Sequence, residues 1–141
     1  MKNYIKILLS SAALIFAALL FCAWGEPKTV VLFNSQPITA KTVEYPETTF
    51  KTGQKIHYVI LSKKGFKGNA LKVQIIKKDK ADKTEFWGYK PTLSRSVELE
   101  NPNFYIDYIV LHEKGYYIMQ VFELKNLQTP VGYGDFWVKD R

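Results

Sequence analysis

Beyond Lys28 the sequence nowhere sustains a helical period. Instead, short runs of β-branched and aromatic residues recur between clusters of Gly, Pro, Asn and Lys. Such patterning predicts strands at 29–33, 38–44, 48–51, 55–62, 70–77, 84–89, 94–99, 104–111, 115–123 and 135–139. The run from Ala70 to Lys77 is the clearest: Leu71, Val73 and Ile75 share one face while Lys72 and Gln74 share the other, as in a strand with one wet side. Strands this short and numerous bury both inner faces only when two sheets pack together. The expected fold is all-β, a two-sheet antiparallel sandwich. It forms a single domain from 26 to 141 with no internal repeat or low-complexity tract.

Residues 1–25 read differently. Lys2 and Lys6 lead into a stretch from Ile7 to Cys22 that is apolar or small apart from Ser10 and Ser11, the charge order of an export signal with a helical core. Ala23 and Gly25 put small side chains at the third and first positions before a cut ahead of Glu26. The apolar stretch is close to the roughly 17 residues that span a bilayer, so an uncleaved membrane anchor is the alternative. Leu19 stands three residues before Cys22 as in a bacterial lipoprotein signal, although Phe21 occupies the place usual for a small residue; lipidation at Cys22 is the third fate. Each of the three sends the domain out of the cytoplasm, to the periplasm, the cell surface or the medium.

Cys22 is the only cysteine, so neither a disulfide framework nor a thiol nucleophile is available to 26–141. His57 and His112 show no metal-ligand spacing, and Ser62, Ser94 and Ser96 lack the Gly-x-Ser-x-Gly context of an activated nucleophile. Glu98, Glu100, Glu113 and Glu123 fall at strand ends or on polar faces, where solvated acids belong, so a hydrolase built on two of them ranks behind the binding functions. The expectation is a non-enzyme with no metal and no cofactor.

From His112 to Met119 the sequence runs His-Glu-Lys-Gly-Tyr-Tyr-Ile-Met. An acid, a glycine two residues on, a tyrosine two after that and a core residue two further is the pattern at the start of strand F in immunoglobulin-like domains, which this segment resembles. The run Phe50-Lys51-Thr52-Gly53-Gln54 ahead of a long apolar strand is similar to the entry into strand B of bacterial domains of that kind. The resemblance implies that Gly115 makes the turn, that the Tyr117 hydroxyl bonds back to upstream backbone, and that Met119 stands where antibody domains place a cysteine. It carries architecture and no activity.

The chain has 20 Lys+Arg against 13 Asp+Glu, a net +7 of which Lys2 and Lys6 contribute two. Lys63, Lys64 and Lys67 follow one predicted strand, and Lys77, Lys78, Lys80 and Lys83 follow the next. Because consecutive strands reverse direction, the two clusters belong at opposite ends of the sandwich, a poor track for a phosphate backbone, and no nucleic-acid partner is expected. The loops 63–69 and 124–134 should emerge at one end, grouping Phe66, Leu127, Val131 and Tyr133 with Lys63, Lys64 and Lys67. Apolar tips framed by cations form a recognition surface, unless they fold back to cap the core. The expected function is a non-catalytic binding module of the cell envelope, engaging an envelope or extracellular protein through this loop end or a sheet edge. The alternative is a carrier or sensor of a small ligand or glycan, held by Trp87 and Tyr89 of the aromatic run 86–89.

Overall fold

The computed structural model describes residues 29–78 and 89–141; the expected signal or anchor with Cys22, and the segment holding Trp87, lie outside them. Among the described residues the strands are β1 (Thr29–Asn34), β2 (Thr49–Lys51), β3 (Lys55–Ser62), β4 (Ala70–Lys78), β5 (Tyr89–Glu98), β6 (Phe104–Val110), β7 (Gly115–Glu123) and β8 (Gly132–Lys139). They form a three-stranded sheet in the order β1-β3-β6 and a five-stranded sheet in the order β2-β8-β7-β4-β5. The expectation of wholly antiparallel sheets needs one correction, because β2 runs parallel to β8. No hairpin joins those two strands, so turn geometry does not dictate their relative direction.

Alternation builds the core. Ile56, Tyr58 and Ile60 of β3 meet Leu71, Val73 and Ile75 of β4 and Tyr117, Met119 and Val121 of β7 in one buried cluster. At its centre the Phe136 ring lies 4.7 Å from Phe33, 6.0 Å from Phe50 and 5.7 Å from Tyr117, the last nearly parallel. The other face of the small sheet is covered in part by the chain between β1 and β2, which seats Val43 on Val59 and Leu61.

Three predicted strands are placed differently. Residues 38–44 are not a strand: Thr42–Glu44 form a 3-10 turn, because Thr39 and Thr42 exchange side-chain to backbone hydrogen bonds that compete with a ladder. The predicted strand 94–99 is part of one ten-residue strand, Tyr89–Glu98, with Thr92 as the extra residue of a bulge between Leu93 and Pro91. Proline is tolerated there because β5 is an edge strand. Finally, β8 begins at Gly132 rather than Asp135. A side-chain carbon on Gly134 would meet Phe33 Cε2 at 2.7 Å, and one on Gly132 would meet Thr29 Cγ2 at 2.8 Å, so the glycines let β8 pass close beneath β1.

At the β6 to β7 corner the buried Tyr117 hydroxyl donates a 2.6 Å hydrogen bond to the Glu113 carbonyl. Gly115 leaves room for the stem of Lys77, whose Cε would lie 2.5 Å from an added side-chain carbon. Replacing Tyr117 by Phe strands that carbonyl and is expected to cost about 1–2 kcal/mol in urea unfolding. Tyr116→Phe, which removes a hydroxyl bonded to the exposed Asp135 carboxylate, should stay within about 0.5 kcal/mol.

Candidate functional site

At the end where β4 begins, the two loops emerge, and the Lys67 amide of the first donates to the carboxylate of Glu123, the last residue of β7 ahead of the second. They do not form the surface expected of them. Phe66 is buried in the main core, its amide donating 2.7 Å to the Pro102 carbonyl, and Val131 packs half-buried against the same cluster. Both therefore cap the open end of the sandwich, because a ring at the mouth of a core gains more from covering it than from facing water. Leu127 stays exposed with Lys63, Lys64 and Lys67, while Tyr133 is exposed on β8, on the outer face of the large sheet rather than on a loop. Tyr89 starts β5. Met119 is fully buried.

On the side of the sandwich where β5 and β6 face each other, four polar side chains converge that the sequence reading did not group. Arg95 on β5 donates from Nη2 to Asp107 Oδ2 on β6 (2.9 Å) and to the Tyr58 hydroxyl on β3 (3.2 Å). Tyr105 on β6 donates to the same carboxylate oxygen at 2.9 Å. The bridge ties the two sheets together across their open side. Burial pushes the Tyr58 and Tyr105 pKa values up, and for Tyr105 the bond to Asp107 adds to it. For Arg95 burial opposes the charge, but the bond to Tyr58 and the nearby acid outweigh it and hold the guanidinium ionised. Neither tyrosine supplies a base near neutral pH, so the cluster works as a clamp.

Strand β6 itself carries the other unforeseen feature. Its inward residues include Asp107 and buried Ile109, while Ile106, Tyr108 and Val110 form an exposed apolar row on the outer face, 37%, 45% and 36% accessible. Lys55 Nζ sits 4.7 Å above the Tyr108 ring, and the His57 ring lies 5.8 Å from it. Burial, and then the Lys55 charge, lower the His57 pKa, so a neutral imidazole flanks Tyr108 at physiological pH. The sequence did hold a signal: Phe104 to Val110 is apolar on both faces of its alternation except for Asp107, unlike a strand with one wet side.

β6 is also the least defended edge. Beside β1, the Phe33 carbonyl accepts from the Glu47 amide. β2 has three residues, and β5 carries a bulge and Pro91. β6 pairs with β3 over seven residues without a bulge, and its device is the inward acid: Asp107 Oδ1 accepts the Tyr108 amide at 2.8 Å.

No group of three His, Cys, Asp or Glu side chains suited to a metal ion forms among the described residues. None of the helices described is long and apolar enough to cross a membrane. No family model matches the sequence, and no curated protein does. Among solved structures, the soluble domain of PmoD from Methylocystis sp. ATCC 49242 (Rockwell) is similar, with a TM-score of 0.46 and 11% identity over 79% of this chain and 90% of that one. The CARDB domain of a Pyrococcus furiosus protein, solved in complex with di-metal ions, has a TM-score of 0.39 and 15% identity over 82% of this chain and 96% of that one. Likeness at this level concerns the fold alone.

Proposed function

We infer that this chain is an exported, non-catalytic binding module with an immunoglobulin-like sandwich, and that it takes an extended segment of a partner protein as an added strand along β6. The strand order of the two sheets and the hydrogen bond from Tyr117 to Glu113 support the immunoglobulin-like reading. The charge order of residues 1–25 supports export.

The observation that carries the binding reading is the edge of β6, the least defended among the described residues, beside its own exposed row of Ile106, Tyr108 and Val110. An incoming strand gains main-chain hydrogen bonds from the edge, and its alternate side chains cover the apolar row. Tyr108, held between Lys55 and His57, is a pre-ordered anchor that pays little entropy on binding. The partner's carbonyl replaces Asp107 at the Tyr108 amide, and Asp107 keeps its bonds to Arg95 and Tyr105.

Peptides selected from a random display library against the chain should alternate apolar residues and slow hydrogen exchange at the amides of Ile106, Tyr108 and Val110. Replacing Tyr108 by Lys should weaken them about tenfold or more while leaving stability nearly unchanged. Selected peptides that protect the 124–131 loop instead, or that bind the Tyr108→Lys protein equally well, would rule this reading out.

A further inference from the structure

Beside the exposed row of β6 stands a cation with no acid to match it. Among the described residues, those that the register places on the outer face of β1, β3 and β6 are all uncharged except Lys55, His57 being neutral at physiological pH. Lys55 is exposed and makes no ion pair among the described residues. The chain that covers part of this face brings two exposed acids, Glu44 and Glu47, but Glu47 accepts the Ser35 amide and neither pairs with Lys55. Across the ladder Lys55 faces Val110, yet its ammonium lies 4.7 Å above the ring of Tyr108, the next residue on that face of β6. The side chain therefore leans along the row and holds its charge over the central ring of the edge strand.

A strand added along β6 runs about 4.8 Å from it, with its outward residues beside Ile106, Tyr108 and Val110. Such a strand takes water from the Lys55 ammonium, and a charge that loses water without gaining a partner is costly. The Tyr108 ring offsets part of that loss. A carboxylate on the added strand offsets more, and the position from which it reaches the ammonium is the one beside Tyr108. Ile106 and Val110, to either side, match apolar neighbours. Because both flanks of Tyr108 are aliphatic, the complementary pattern is the same for a parallel and an antiparallel strand: apolar-x-acid-x-apolar. The net charge of +7 adds long-range attraction for an acidic segment. We propose, on the strand-addition reading above, that β6 selects a partner-protein segment of the pattern apolar-x-acid-x-apolar, with Lys55 as the residue that reads the acid. The β6 backbone then supplies affinity, and Lys55 supplies specificity.

The test takes peptides selected from a random display library against the full chain and keeps those that slow exchange at the amides of Ile106, Tyr108 and Val110. These should carry Asp or Glu with an apolar residue two positions to each side. Changing that acid to its amide should weaken binding to the parent about fivefold or more, and binding to Lys55→Met, which keeps an unbranched stem without the charge, less than about twofold. Lys55→Arg should keep the preference, and Lys55→Glu should reverse it toward peptides with Lys at that position. Raising the salt from about 0.05 M to about 0.5 M should erode the preference of the parent. Peptides that protect the β6 amides without the acid, or an acid-to-amide loss equal in the parent and in Lys55→Met, overturn the role of Lys55 and leave strand addition standing. Selected peptides that protect no β6 amide overturn both.

Discussion

Replacing Phe136 by Ala should remove about 3–5 kcal/mol of stability, the range for deleting a packed aromatic ring. Nothing near the ring can move in to fill the space. Phe33, Phe50 and Tyr117 touch it from three different strands, all are buried, and Tyr117 is further held by its bond to Glu113. A domain of this size has roughly 5–15 kcal/mol in total, so the variant should be folded only marginally, with a urea midpoint far below that of the parent and an unchanged slope. Phe136→Leu, which keeps most of the volume, should lose about 1–2 kcal/mol. A loss below about 1 kcal/mol for the alanine variant would mean that the two sheets do not pack through this ring.

Gly134→Val should be the second most damaging change, at about 2–3 kcal/mol, although it adds apolar surface to a strand. Its first side-chain carbon already stands 2.7 Å from Phe33 Cε2 and 3.1 Å from Val31 Cβ, and Phe33 cannot rotate away because Phe136 backs it at 4.7 Å. The strain is specific to that contact. Combining Gly134→Val with Phe33→Ala should therefore cost less than the sum of the two single changes, a coupling readable in a double-mutant cycle. Tyr133→Val, one residue away on the outer face, should stay within about 0.5 kcal/mol. Equal effects at 133 and 134 would contradict the close approach of β8 to β1.

The candidate surfaces were legible in uneven measure. The Arg95, Asp107, Tyr58 and Tyr105 clamp joins residues from three strands and both sheets, and no local spacing announces such a meeting. The contact of Lys55 with Tyr108 depends on the register of β3 against β6, which is set by how the core packs. Phe66 shows the reverse error. An aromatic residue between lysines and glycines reads as a loop tip, and only the position of the loop over the open end of the core makes it a cap.

By itself the sequence determined the all-β class, most of the strands and the inward face of β4, because a two-residue alternation is a local property that any packing must respect. It also marked the turn before Tyr117, since that tyrosine's partner lies only four residues upstream. Tertiary structure alone decided the rest. Glycines that read as a loop became strand where β1 crosses them. It also decided which edge was left open, because whether a strand has a neighbour depends on strand order, which residues adjacent in the chain do not encode.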